Sequence, residues 1–389
     1  MVTARWFTAL CYGGMMSLAI GLNLMPVFLT SLSLAFGGRT GLTQEQLGRL
    51  GAISFTGVVI GIFVAGSLAD RWGAKVFALA GNGFIGAGLV GMAVAPTYGA
   101  FCATVFLLGG GAGILDMILS PLVASLNPQR RAASLNWLHS FYCVGAMATV
   151  LVGTIALRTG FSWRLTCLLL LGLPLALALA FAPLRFPKLV SGSEARQPMR
   201  HLLRQRWFAG ALVAIFLGGA TEMGMAQWLP AYAERSLGFP GWVGGTGLLF
   251  FSLSMALGRM AIGTLSTAVN PYVIMAWCCG LSVILFLLGS FLPVSAAALA
   301  ACVLAGFTGS ALWPTLLAVT ADHYPRGGAS MFAALAALGN AGGIMMPWVV
   351  GWVADASDLR WGLAVSGVAP MLLLPLVLVL KQGQRGPVP

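Results

Sequence analysis

The sequence predicts an all-α membrane protein, twelve transmembrane helices arranged as two pseudo-symmetric six-helix bundles. Three observations lead there. Of the 389 residues, 59% are hydrophobic and only 8% are charged, against about 25% charged in a soluble domain. Apolar runs of about 20 residues recur from end to end, each long enough to cross roughly 30 Å of hydrocarbon. The second half of the chain also repeats the first. A transmembrane barrel would need shorter, alternating segments, and the sequence has none.

In chain order the spans are expected at 6–35, 46–69, 76–95, 99–126, 133–157, 163–184, 207–234, 241–265, 271–291, 294–321, 328–353 and 361–380. Pro, Gly and charged residues punctuate the gaps. The first run, after "MVTARW", is longer than the apolar core of a signal peptide and reads as a retained helix. The seven cysteines all fall inside apolar runs without paired loop spacing. Small packing residues are expected there rather than disulfides or a zinc site.

The net charge of +12 would raise the question of nucleic acid in a soluble chain. Here it reads as topology. With the N-terminus inside, fifteen of the 21 Lys and Arg fall in cytoplasmic segments, Arg259 being counted among them. Both termini are then cytoplasmic, in an inner (plasma) membrane. The long polar gap, "RFPKLVSGSEARQPMRHLLRQR", divides the spans six and six. It gives an N-terminal bundle over 1–184, a linker over 185–206 and a C-terminal bundle over 207–389. The linker's basic end suits the anionic inner leaflet.

The repeat is visible residue by residue. "RWFTAL" at 5–10 opens one half and "RWFAGA" at 206–211 the other, and an offset of 197 aligns Gly109 with Gly306, Pro128 with Pro325, Ala132 with Ala329 and Gly145 with Gly342. Two such halves place a binding site at their interface near the bilayer midplane.

"GSLADRWGAK" at 66–75 matches the loop pattern G-x-x-x-D-R-x-G-x-K, and in this the chain resembles the major facilitator superfamily. The local physics is plain. Gly66 lets helices approach, Asp70 can pair with Arg71 or cap a helix N-terminus, and Gly73 makes the tight turn. "GRMAIG" at 258–263 reads as a degraded second copy that keeps Gly258 and Arg259. These residues are the expected conformational gate. "GAGILDMILSPLVASLNPQRRAASLNWLHSFYCVGAM" at 111–147 and "TEMGMAQWLPAY" at 221–232 further resemble the fucose permease-like branch, with Asp116, Leu135, Asn136, Phe141, Gly145 and Ala146 at its positions. That branch implies a symporter taking up a sugar with a proton or a sodium ion. The chain departs from it in having Leu22 and Asn23 before Pro26, where the fucose permease has an acid, and Ser120 where Asn is common.

Of nine acidic residues, only Asp116 and Glu222 lie deep in apolar runs. Intramembrane ionisable residues are costly and line pathways or cavities. No Lys or Arg is expected in mid-span to pair with Asp116. Its carboxyl should hold a proton when dry, because an unpaired buried carboxylate costs more, and release it when water enters. That is the chemistry of a coupling site, with Glu222 as a second candidate. The bland alternative is a protonated acid gluing two helices together.

Glu222, Gln227 and Trp228 offer a carboxylate, a carboxamide and an apolar plate, the set a sugar ring needs, provided the helix unwinds near Gly224. Asn136 and His139 are three apart on one helix face. Asn23, Asn340 and Trp313 complete the candidate substrate-binding set, and Trp313 stands at the repeat position of Asp116. A drug or metabolite exporter and a sodium-coupled carrier are the competing transport readings. No nucleophile–base or metal-ligand constellation occurs, so no enzyme, metal or cofactor is expected beyond the coupling ion. The expected partners are a small neutral solute and lipid, for a monomer.

Overall fold

The computed structural model describes residues 4–42, 44–187 and 198–383. Among these the regular structure is helical and no strand occurs. Twelve segments are long and apolar enough to cross a membrane: Arg5–Met25, Arg49–Ala69, Ala74–Val94, Tyr98–Leu126, Pro128–Gly153, Trp163–Phe181, Arg206–Arg235, Val243–Leu265, Pro271–Phe291, Ser295–His323, Ser330–Ala354 and Leu359–Gln382. They are called spans one to twelve below. Each overlaps an expected run.

Several spans are not single helices, and three of the breaks fall beside a proline. A proline has no N–H, so the carbonyl four residues earlier loses its partner. The first helix ends at Val27, just after Pro26, and a second runs Leu29–Gly37. Span seven is Arg206–Ala226 followed by Leu229–Arg235, with Pro230 in the first turn of the second piece. Span ten is Ser295–Gly309 followed by Leu312–His323. There Pro314 strips the carbonyl of Ser310 of its intrahelical donor. The Gly224 hinge expected in span seven is instead a break at Gln227–Trp228, three residues closer to the proline.

Helices in lipid gain little from the hydrophobic effect, so close backbone packing must hold them. The run "GGGAG" at 109–113 does this in span four. A Cβ on Gly109 would run into the carbonyl of Ser54 in span two, and one on Gly111 would lie 2.6 Å from the carbonyl of Gly81 in span three. The second half repeats the contact at the same offset of 197. A Cβ on Gly306 of span ten would lie 2.8 Å from the carbonyl of Phe251 in span eight. The duplication therefore holds in the packing as well as in the letters.

Two compact units are present. One comprises Met1–Leu126, Phe141–Glu194 and Gly328–Ala333; the other comprises Asn127–Ser140, Ala195–Gly327 and Ala334–Pro389. The division follows the halves except at 127–140 and 328–333. Much of the expected linker, 188–197, lies outside the described residues. From Pro198 the chain forms a short helix, Met199–Leu202, whose Leu202 is fully buried, and then enters span seven.

Candidate functional site

Within the first unit, the register of spans one and four locates Asp116. Gly14 packs against Leu119, and Gly21 against Ala112 and Leu108. These contacts bring Asp116 level with Ser17, in the middle of both helices. Asp116 is half-buried while Leu115 and Met117 on either side are buried. Ser17 donates from Oγ to Oδ1 of Asn82 at 3.0 Å, so spans one and three share a buried polar contact at this depth. Span five passes at the same level, where Gly145 sits against Met16 and Ala19.

Around this level the first unit collects aromatic and amide groups. Tyr12 stacks on Phe141 with ring centroids 4.6 Å apart and planes 12° from parallel. Asn23 donates from Nδ2 to the carbonyl of Ala19 at 2.9 Å and to the Tyr142 hydroxyl at 3.3 Å. All of these side chains keep partial exposure. Asn23 was expected from sequence. Tyr12 and Tyr142 were not, because a tyrosine in a helix carries no signal of which face it presents.

The second unit corrects a central expectation. Arg259 does not lie in a cytoplasmic loop, nor does it repeat Arg71 of the 66–75 loop. It sits inside span eight, 3% exposed, and is the one buried Lys or Arg among the described residues. Its Nη2 pairs with Glu222 Oε2 at 2.6 Å. Its Nη1 donates to the main-chain oxygen of His139 at 2.8 Å, and its Nε to that of Ser310 at 2.9 Å. The last is the carbonyl that Pro314 left without a helical donor. One guanidinium thus joins spans five, seven, eight and ten. The apolar run continues from Met260 to Leu265, and that continuation was the available sign that Arg259 lies inside it.

The pairing also revises the expected trio in span seven, which the structure does not bring together. Glu222 is engaged by Arg259, and its side chain keeps 13% exposure. Gln227 is exposed at the helix break. Trp228 donates its indole N–H to the carbonyl of Pro347 at 2.8 Å and packs beside Val350 and Met346. It fastens the break in span seven to span eleven rather than offering a free ring face.

The other predicted residues fall in two groups. Asn136, fully buried, donates from Nδ2 to the carbonyl of Ala132 and to the Thr315 hydroxyl, both at 2.9 Å. Its Oδ1 has no hydrogen-bond partner among the described residues. His139 and Ser140, one turn further on, are both buried and flank the face of Asn136. Trp313 packs on Gly339, where a side chain would collide with its ring. Asn340 donates only to the carbonyl of Ala336 in the hydrogen bonds of its own helix.

The structure describes part of the expected gate. Gly73 has φ +85°, which favours glycine, and its N–H closes on the carbonyl of Ala69 at 2.9 Å. Arg71 is exposed, and the side chain of Asp70 lies outside the described residues. The Gly66 carbonyl accepts from Ser330 Oγ at 3.0 Å, and a Cβ on Gly66 would overlap that of Ala333. The repeat partner of Gly66 is Gly263, and that of Ala333 is Asn136. A Cβ on Gly263 would lie 3.1 Å from the Cβ of Asn136. Each unit therefore holds one copy of the same glycine contact.

The Major Facilitator Superfamily model matches residues 6–326 and 245–388. A protein of Bacillus subtilis (strain 168) named as a niacin/nicotinamide transporter, NiaP, is 27% identical over 358 residues, 88% of each chain. The structure of the E. coli fucose:proton symporter FucP superposes with a TM-score of 0.82 at 19% identity, covering 99% of this chain and all of that one. The proton:xylose symporter XylE gives a TM-score of 0.81 at 14% identity, over 97% of this chain and 95% of its own. With twelve spans, the proline breaks and the packed repeat already in place, the conclusion is that this chain belongs to the Major Facilitator Superfamily of membrane transporters.

Proposed function

We propose that the protein carries a sugar or sugar-like polyol into the cytoplasm together with a proton, by alternating access, from a plasma membrane in which both termini are cytoplasmic. The observation that carries this reading is Asp116, a half-buried carboxyl at mid-depth of a 29-residue span. A carboxyl there is stable in a dry pocket with its proton and stable in water without it. Rocking the two halves about it turns that difference into coupling. The Tyr12–Phe141 stack and the Asn23–Tyr142 pair supply, at neighbouring depth, a ring face and both senses of hydrogen bonding for a neutral solute. FucP and XylE, whose folds this chain shares, are named as proton symporters of fucose and xylose.

The test is uptake into proteoliposomes carrying the purified protein, with an imposed pH gradient or sodium gradient. A proton-coupled carrier accumulates the solute with the first and not the second. Asp116→Asn should abolish accumulation while leaving counterflow exchange. Undiminished uphill uptake by that variant would remove Asp116 from the coupling step. A second reading follows from the 27% identity to NiaP: nicotinamide is also neutral, flat and bears an amide, so it belongs in the same solute screen.

A further inference from the structure

We propose that the surface where span seven begins and span twelve ends is a docking site for an anionic glycerophospholipid, whose head group lies against Arg200, Arg204, Arg206 and Lys381. The contact does not depend on transport. Only its assignment to the inner leaflet rests on the orientation proposed above.

The chain builds this surface from a tight segment. The short helix Met199–Leu202 is followed by two turn hydrogen bonds, from Arg204 N to the carbonyl of His201 at 3.2 Å and from Gln205 N to that of Leu202 at 2.9 Å. Span seven then starts at Arg206. Leu202 is fully buried and anchors the segment. Trp207 donates its indole N–H to the carbonyl of Leu380 at 3.1 Å, and a Cβ on Gly383 would lie 2.9 Å from its ring. The end of span twelve, with Lys381, is thereby held against the start of span seven. Trp207 also stacks on His323 with ring centroids 3.9 Å apart, which brings the end of span ten alongside.

The charges on the first two of these ends have one sign. Arg200, Arg204, Arg206 and Lys381 are the charged residues of 198–207 and 378–383, and none there is acidic. The three arginines are exposed. None of the four has a side-chain hydrogen bond or ion pair among the described residues. Asp322, the acid at the end of span ten, is engaged by Arg131 at 2.8 Å. Clustered basic groups of this kind at a membrane surface attract anionic lipid.

Apolar surface continues from the cations and favours a lipid over a soluble anion. Leu203, beside Arg204, is 54% exposed although it lies outside the spans. Ala209 and Val213 follow Arg206 by three and seven residues on one helix face, and both are exposed. On span twelve Leu378 and Val379, just before Lys381, are exposed as well. Span seven has 30 residues, about 45 Å of helix, the thickness of a bilayer with its head groups. Arg206 at its end therefore stands at head-group depth. A ligand that fits this surface carries a negative head joined at that depth to apolar tails. A soluble phosphate would use the arginines and leave the leucines and valines bare.

The experiment uses the purified full-length protein in neutral detergent. Phosphatidylglycerol, phosphatidylcholine of the same chain length, or glycerol phosphate is added. Bound lipid is counted by native mass spectrometry and stabilisation is read by thermal shift. The expected result is binding of phosphatidylglycerol about tenfold tighter than phosphatidylcholine. The triple variant Arg200→Gln, Arg204→Gln, Arg206→Gln should reduce that preference to within twofold. The control Arg39→Gln with Arg235→Gln should keep it; both arginines are exposed, and Arg235 ends span seven at its far side. Should the triple variant not fold, Arg204→Gln alone, in the turn outside the spans, should lower the preference at least threefold. A preference that survives the arginine variants, or that the control loses equally, overturns the proposal. So does glycerol phosphate that stabilises the wild type as well as phosphatidylglycerol at equal concentration. None of these readouts involves transport. Failure here therefore leaves the coupling role of Asp116 standing, and a failed uptake experiment leaves the lipid contact standing.

Discussion

The two halves of this carrier share a backbone plan and divide its electrostatics. In the first half the deep charge-bearing group is Asp116, whose repeat position holds Trp313. In the second half the deep charges are Glu222 and Arg259, whose repeat positions hold Met25 and Ile62. The glycine contacts that pack the spans are by contrast present in both. Duplication preserved what the bilayer requires of helix packing and left the ionisable groups free to diverge. One half carries a group whose protonation state can follow hydration. The other carries an ion pair whose arginine is also tied to two main-chain carbonyls. The coupling role proposed above is assigned to the former.

That contrast can be broken in order of expected effect. Removing the cation, as Arg259→Ala, should destabilise by about 3–5 kcal/mol, the range for a buried ion pair that loses one partner. Installing the first half's residues, Met at 222 and Ile at 259, should recover most of it. Thermal unfolding in detergent reads both. Asp116→Asn should lower pH-driven accumulation of solute by at least tenfold in proteoliposomes.

Smaller effects sharpen the comparison at the paired glycines. Gly66→Ala forces a Cβ onto Ala333 and Gly263→Ala presses one on Asn136. Overpacking of this kind costs about 1–3 kcal/mol. The Gly66 variant should be the worse, since its contact is the closer of the two, and transport rate should fall with stability in both. Trp228→Phe removes the indole N–H donated to Pro347 together with one ring of the indole and should lower stability by at least about 1 kcal/mol. If Trp228 is a strut, solute affinity stays within twofold.

Much of the architecture was written in period and composition. Run length and basic residues marked twelve spans because lipid forbids any other spanning backbone but helices and closed barrels. The offset of 197 was legible because small residues at helix crossings tolerate little change. The site was less so. Asp116 announced itself as the one ionisable acid or base in the long stretch between Lys75 and Arg130. Arg259 was misread because one charge near the end of an apolar run looks like the start of a loop, and only its partners three helices around reveal otherwise. Glu222, Gln227 and Trp228 lie within seven residues, but a helix break turns them to different tasks. Tyr12 and Tyr142 could not be picked out, since tyrosine is ordinary in membrane helices and its function depends on which neighbour the fold brings.

The carbonyl of Ser310 ties two distant letters of the sequence together. Pro314 denies that oxygen its usual donor, and the Nε of Arg259 supplies another. In a Pro314→Ala background the helix again supplies a donor to that oxygen, so the part of the cost of removing Arg259 that comes from an unserved acceptor in oil should disappear.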